Sequence, residues 1–230
     1  MAIPQSKARG LVKERAHPTK AWPKVLGFSV AVLPAVATYV ASFVDKVRVS
    51  ELEFVDAQIE KLYGPLYALT QTDRFSYETF VRAHAPGGEA FTLATNYPPT
   101  AEQMRLWRTW VTTVFQPLNL KMEDAIVSNA HLVIGAQLPA AFIGLIAETE
   151  KYKVLIELWK AQGHDKDLDV TYPGNVVGIP GGLTACAAQS YLMLKARQKE
   201  LRWNLLSVLW ARPLSPPESC VRAEGNLPGK

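Results

Sequence analysis

The chain has 230 residues, with 25 Lys+Arg against 21 Asp+Glu, a net charge of +4 and 48% hydrophobic residues. Much of the positive excess lies in the first 24 residues, where Lys7, Arg9, Lys13, Arg15, Lys20 and Lys24 face Glu14 alone. The remainder is near neutral and lacks the clustered basic face of a nucleic-acid-binding domain.

Residues 1–24 form a basic N-terminal arm with Pro4, Pro18 and Pro23 and no helical periodicity. Such an acid-poor leader suits an organelle-targeting segment, a cytosolic flank, or both. Residues 25–44, VLGFSVAVLPAVATYVASFV, are twenty positions without a charge. A helix of that length spans about 30 Å, the hydrocarbon thickness of a bilayer. Trp22 stands just outside one end, where an indole suits the headgroup layer, and Pro34 predicts a kink mid-run. Two other readings compete: a signal peptide, whose apolar core would be shorter, and a core helix of a soluble domain. Length and absence of charge favour a span anchored by Trp22, Val25, Pro34, Tyr39 and Val44. Six Lys/Arg precede it, while Lys46, Arg48 and Lys61 follow closely. By charge alone, that count puts the N-terminus inside and leaves the side of the helical domain open.

Residues 45–210 read as a helical domain. Leu52, Val55, Ile59, Leu62, Leu66 and Leu69 alternate spacings of three and four, one apolar stripe along a helix that Pro65 should kink near Gly64. Residues 73–84 suit a further helix, ended by His84-Ala-Pro-Gly-Gly88 and a loop through Asn96-Tyr-Pro-Pro99. Thr100-Ala-Glu-Gln103 is a capping box, and Trp107, Val111 (with Trp110), Val114, Leu118 and Met122 (with Ile126) continue a core face with a kink at Pro117. Pro139 opens a helix running to Gln162, stopped by Gly163. Tyr172–Asn175 and Gly178–Gly182 are turns, and a last long helix is expected from Thr184 to about Trp210. Residues 211–230 read as an extended C-terminal tail. No segment alternates as a strand. The expected fold is all-α, a transmembrane helix continuing into a kinked bundle of about four helices.

No catalytic, cofactor-binding or metal-binding residue stands out. His17, His84, His131 and His164 have no ligand spacing, and Gly174–Gly182 lacks the Lys-Ser/Thr ending of a phosphate loop. The two cysteines, Cys186 and Cys220, make no disulfide framework, and Cys186 reads as a buried small hydrophobe. A haem or quinone pocket is one use for the six tryptophans, but Trp107 and Trp110 fall on a core stripe.

Phe54-Val55-x-Ala57-x-Ile59-Glu60-Lys61-Leu62-Tyr63-Gly64-Pro65-Leu66, followed by Trp107-x-x-Trp110-x-x-x-Val114-Phe115-x-Pro117-Leu118-Asn119-x-x-Met122-Glu123, resembles an uncharacterised family of bacterial single-anchor helical membrane proteins. The resemblance covers residues 50–200, through KLYGPL-type and VFxPLNxxME-type helices, and implies an architecture without an activity. Relatives of that kind carry charged helices after the second motif, whereas residues 131–147 and 176–188 here are apolar on more than one face. A small domain has limited interior for such stretches, so neighbouring subunits are expected to cover them. A partial membrane insertion of 131–147 is the alternative.

These features point to a non-enzymatic accessory subunit of an energy-converting membrane complex: respiratory, ATP synthase or photosynthetic. Its expected setting is the mitochondrial or bacterial inner membrane. Its partners would be other subunits and the bilayer, with no nucleic acid and no cofactor. Leu52, Ile59 and Leu66 would hold the stem helix, with Trp107, Trp110, Phe115, Phe142 and Ile146 as packing or interface residues. A free-standing membrane-anchored scaffold or regulatory protein is the alternative.

Overall fold

The computed structural model describes residues 22–84, 101–162, 182–204, 206–210 and 213–221, with side chains from Pro34 onward. The expectations for residues 1–21, for the loops at 85–99 and 163–181, for the Thr100 cap and for residues 222–230 lie outside that description. So do the side chains of Trp22 and Val25.

The described elements are α1 (Trp22–Ala57), a first π-turn (Gln58–Tyr63), α2 (Gly64–His84), α3 (Ala101–Trp110) and a second π-turn (Val111–Phe115). They continue through α4 (Gln116–Ser128), a 3-10 turn (Ala130–Leu132), α5 (Ala140–Gln162), α6 (Leu183–Trp203), α7 (Ser207–Trp210) and α8 (Glu218–Val221). No strand occurs among the described residues, and the fold is all-α. The chain divides into two units, Met1–Phe43 and Val44–Lys230. In the first, the described part is the helix from Trp22. No helix among the described residues is long and apolar enough to cross a membrane. Past Val44, α1 carries the charged residues Asp45, Lys46, Arg48 and Glu51.

In the second unit, both expected proline kinks take the form of π-turns. Pro65 has no N–H to return to Lys61, and the turn before it widens so that the Gly64 N–H reaches the Ile59 carbonyl, five residues back. Asn129 Nδ2 donates to the Lys61 carbonyl oxygen at 3.1 Å. Gln58 Nε2 donates to the Leu132 carbonyl at 2.8 Å, and the Ile134 N–H donates to the Tyr63 hydroxyl at 2.9 Å. Three side chains thus tie the first π-turn to the segment around the 3-10 turn. The second π-turn repeats the logic before Pro117, with the Gln116 N–H on the Val111 carbonyl and Gln116 Nε2 on that of Thr149.

The main core gathers Val55, Leu62, Leu66, Met122, Ile126, Phe142, Leu145, Leu183, Leu194 and Leu201 from α1, the first π-turn, α2, α4, α5 and α6. A second, aromatic cluster joins Phe80, Trp107, Val111, Phe115 and Tyr152. There the Phe80 ring lies 5.2 Å from Trp107 and 5.4 Å from Trp110, centre to centre. The rings fill the space between the helices themselves.

The stretch 131–147 is not one apolar helix. Residues 133–139 leave helical geometry, and α5 starts with the Phe142 and Ile143 N–H groups on the Pro139 carbonyl. Leu132, Ile134, Ala141, Phe142 and Leu145 are each at most 3% exposed, so the chain covers most of this stretch by itself, leaving Ile143 outside. Cys186 is buried as expected, but it is bonded to Cys220, contrary to the reading of two unpaired thiols. The bond holds down residues 213–221, which pack on α6 rather than forming part of an extended tail. Leu214 joins the core and Ser219 Oγ hydrogen-bonds Gln189 at 2.9 Å. This segment passes close over Gly135 and Gly182, both at positive φ, where a Cβ would press on Pro216 and on the Ser219 carbonyl. The last long helix ends at Trp203 instead of about Trp210, because Asn204 turns extended and α7 starts afresh.

Candidate interaction surfaces

Charged and polar side chains join α6 to the end of α1. Arg197 donates to Glu51 Oε1 through Nε (2.9 Å) and Nη2 (2.6 Å), and to Glu200 through Nη1 (2.8 Å). Burial pushes the Arg197 guanidinium toward losing its proton, but the two carboxylates outweigh it and hold the pKa above its usual value. Gln198 donates to Asp56, and Arg48 grips both Asp45 and the Leu201 carbonyl at 2.9 Å. Tyr191, early in α6, stacks on Tyr67, while Arg197 and Leu201, nearer its end, meet Glu51 and Arg48. α6 therefore runs antiparallel to the stretch from α1 to α2, and Arg202 adds a contact to Asp56 at 3.6 Å.

Val44 is buried in this unit, while every residue from Pro34 to Phe43 is exposed. Val36, Tyr39, Val40 and Phe43 are 52%, 74%, 51% and 59% exposed, and their spacing of i, i+3, i+4 and i+7 puts them on one face of α1. In the second unit Trp203 is 84% exposed, with Leu206 and Leu209 open beside it in the chain. Among the expected packing residues, Leu66, Trp107, Phe115 and Phe142 are buried, and Leu52, Ile59, Trp110 and Ile146 pack partly buried on the two cores. All eight serve the interior of the chain. The expected anchor residues separate into exposed Pro34 and Tyr39 and buried Val44.

Chemistry-bearing groups are few. A shallow cleft of about 380 Å³ opens between Gln71, Thr72, Phe75, Ser76, Thr79 and Trp110. No cluster of three or more His, Cys, Asp or Glu side chains suited to a metal occurs among the described residues. Asp73 on α2 is pushed up to about 6 by burial, and Tyr63 is raised by burial more than its Ile134 bond lowers it. The Arg108 guanidinium stacks 5.0 Å over the Trp159 ring.

The disulfide, the polar anchors Gln58, Tyr63 and Asn129, and the exposed Trp203 were missed by sequence reasoning. Only the Gly-Pro pair at 64–65 signals the π-turn that the anchors serve. No family model matches the chain, and no curated protein or solved structure is significantly similar to it.

Proposed function

We propose that this protein is a membrane-anchored, non-enzymatic accessory subunit of a multi-subunit membrane complex of the energy-converting kind. Residues 25–44 are its span, and the helical domain of residues 45–210 lies outside the bilayer. The observation that carries this is the uncovered apolar surface of α1 from Pro34 to Phe43, with Tyr39 74% exposed. A helix that exposes a stripe of large apolar side chains and carries no charge on its other faces is suited to lipid or protein around it. The Cys186–Cys220 bond supports a setting in an oxidising compartment such as the periplasm or intermembrane space. The excess of Lys/Arg before the apolar run supports the same side.

A free-standing anchored scaffold is the second reading. It is favoured by the chain's covering of its own 131–147 stretch and by the disulfide, which reduce the need for neighbours. Detergent extraction followed by native gel separation divides the two. Co-migration with an assembly of several hundred kilodaltons is the subunit outcome, and a discrete small species contradicts it.

A further inference from the structure

We infer that one face of α1 is a parallel coiled-coil seam, and that its occupant is the same helix of a second copy of this chain. This pairing does not depend on the membrane reading of residues 25–44.

The register is internal to one helix. Val36, Val40, Phe43, Val47 and Phe54 are exposed and follow one another at steps of four, three, four and seven residues, with exposed Ser50 inside the last interval. Alternating steps of four and three are the a and d positions of a heptad repeat. Val40, Val47 and Phe54 hold a, and Val36, Phe43 and Ser50 hold d. From Val36 to Phe54 the stripe is about 27 Å long. The chain's own interior uses another face of α1. Val44 and Val55 are buried there, and Arg48 and Glu51 between them reach α6.

Lipid cannot cover the whole stripe. Val47 and Phe54 are 37% and 47% exposed on a stretch that also carries Asp45, Lys46, Arg48, Glu51, Glu53 and Asp56. Acyl chains are a costly setting for so many charges. A second helix with the same stripe covers the apolar groups and leaves the charged ones at the rim, in water.

The rim charges select a second copy and a parallel direction. Lys46 falls at g and Glu51 at e. In a parallel pair, g of one helix faces e of the other five residues on, so Lys46 of each copy meets Glu51 of its partner, twice by symmetry. Both Arg197 hydrogen bonds to Glu51 end on Oε1, and the Glu51 side chain is still 33% exposed, so Oε2 is open to the ammonium. The adjoining combinations, Tyr39 with Val44 and Glu53 with Gln58, set no like charges together. Valine at two of the three a positions suits a two-stranded pairing.

The test is disulfide trapping of the full-length protein in unbroken cells, followed by purification in mild detergent. Ser50→Cys puts a thiol at an exposed d position, where parallel copies bring equivalent side chains face to face. Val49→Cys, also exposed, puts one off the seam. With copper phenanthroline as oxidant, Ser50→Cys should give a species of twice the chain mass on non-reducing gels, several-fold faster than Val49→Cys. Adding Lys46→Glu, which sets a carboxylate against Glu51 of the partner, should slow that trapping several-fold. Circular dichroism checks that each variant is folded. Equal rates at the two positions, no trapping in folded Ser50→Cys, or a trapped species joined to a different protein each overturn the inference.

Discussion

The N–H of Gly64 donates to the carbonyl oxygen of Ile59, and a Cβ on Gly64 would collide with that same oxygen. The π-turn and the glycine therefore require each other. In an ordinary helix interior Gly→Ala is stabilising by up to about 1 kcal/mol. Here Gly64→Ala should instead destabilise by about 1–3 kcal/mol, as overpacking against backbone does. Urea titration followed by circular dichroism reads the sign directly, and a stabilised variant would show that the turn relaxes to α geometry.

Tyr63 receives the buried Ile134 N–H. Tyr63→Phe keeps the ring and removes the acceptor, leaving a donor without water or partner. The expected loss is about 1–3 kcal/mol, with faster amide exchange at Ile134 as the local signature.

The Arg197–Glu51 pair joins α6 to the end of α1 with only 6% of the Arg197 side chain exposed. Arg197→Met should cost about 1–3 kcal/mol, since two carboxylates lose a charged donor. Glu51→Gln should cost less, because Glu200 still holds the guanidinium. Equal losses in the two variants would count against this arrangement.

Reduction, or Cys186→Ala with Cys220→Ala, opens a loop of 34 residues. Loop-closure entropy gives an expected loss of about 3–4 kcal/mol. Limited proteolysis should then cut within residues 213–221, which the oxidised protein holds against α6. Unchanged stability on reduction would mean that packing of Leu214 alone secures the segment.

Asp73 is raised by burial to about 6 from an ordinary carboxylate value of 3.8. The folded state binds the proton more tightly, so the contribution of this group is fully present below pH 3.8. It is lost as pH rises through about 6. Asp73→Asn should therefore stabilise the protein at pH 7 by about 1–3 kcal/mol, with the difference vanishing near pH 4. Thermal unfolding of both proteins across that range supplies the comparison.

The sequence makes the local geometry legible and the long-range closures obscure. Pro139 and Gln162 bound α5 closely, and Pro65 and Pro117 mark the two irregular turns, because a missing N–H acts where it stands. The stripe through Leu62 and Leu66 is core, as its spacing predicts. Cys186 and Cys220 are far apart in sequence, and pairing them requires knowing that α8 folds back on α6. The segment around Leu214 has too few apolar residues to announce its burial. The stretch 131–147 misleads because composition does not reveal that residues 133–139 leave the helix, which lets its apolar side chains reach one interior. Trp203 is hidden by a break at Asn204 that no glycine or proline announces.

The central claim is that residues 25–44 hold this chain in a bilayer. Alkaline carbonate extraction of membranes from cells making the full-length protein tests it most directly. The account predicts that the protein stays in the membrane pellet, and that replacing Val36 and Val40 by Asp releases it. Wild-type protein recovered in the carbonate supernatant would contradict the account.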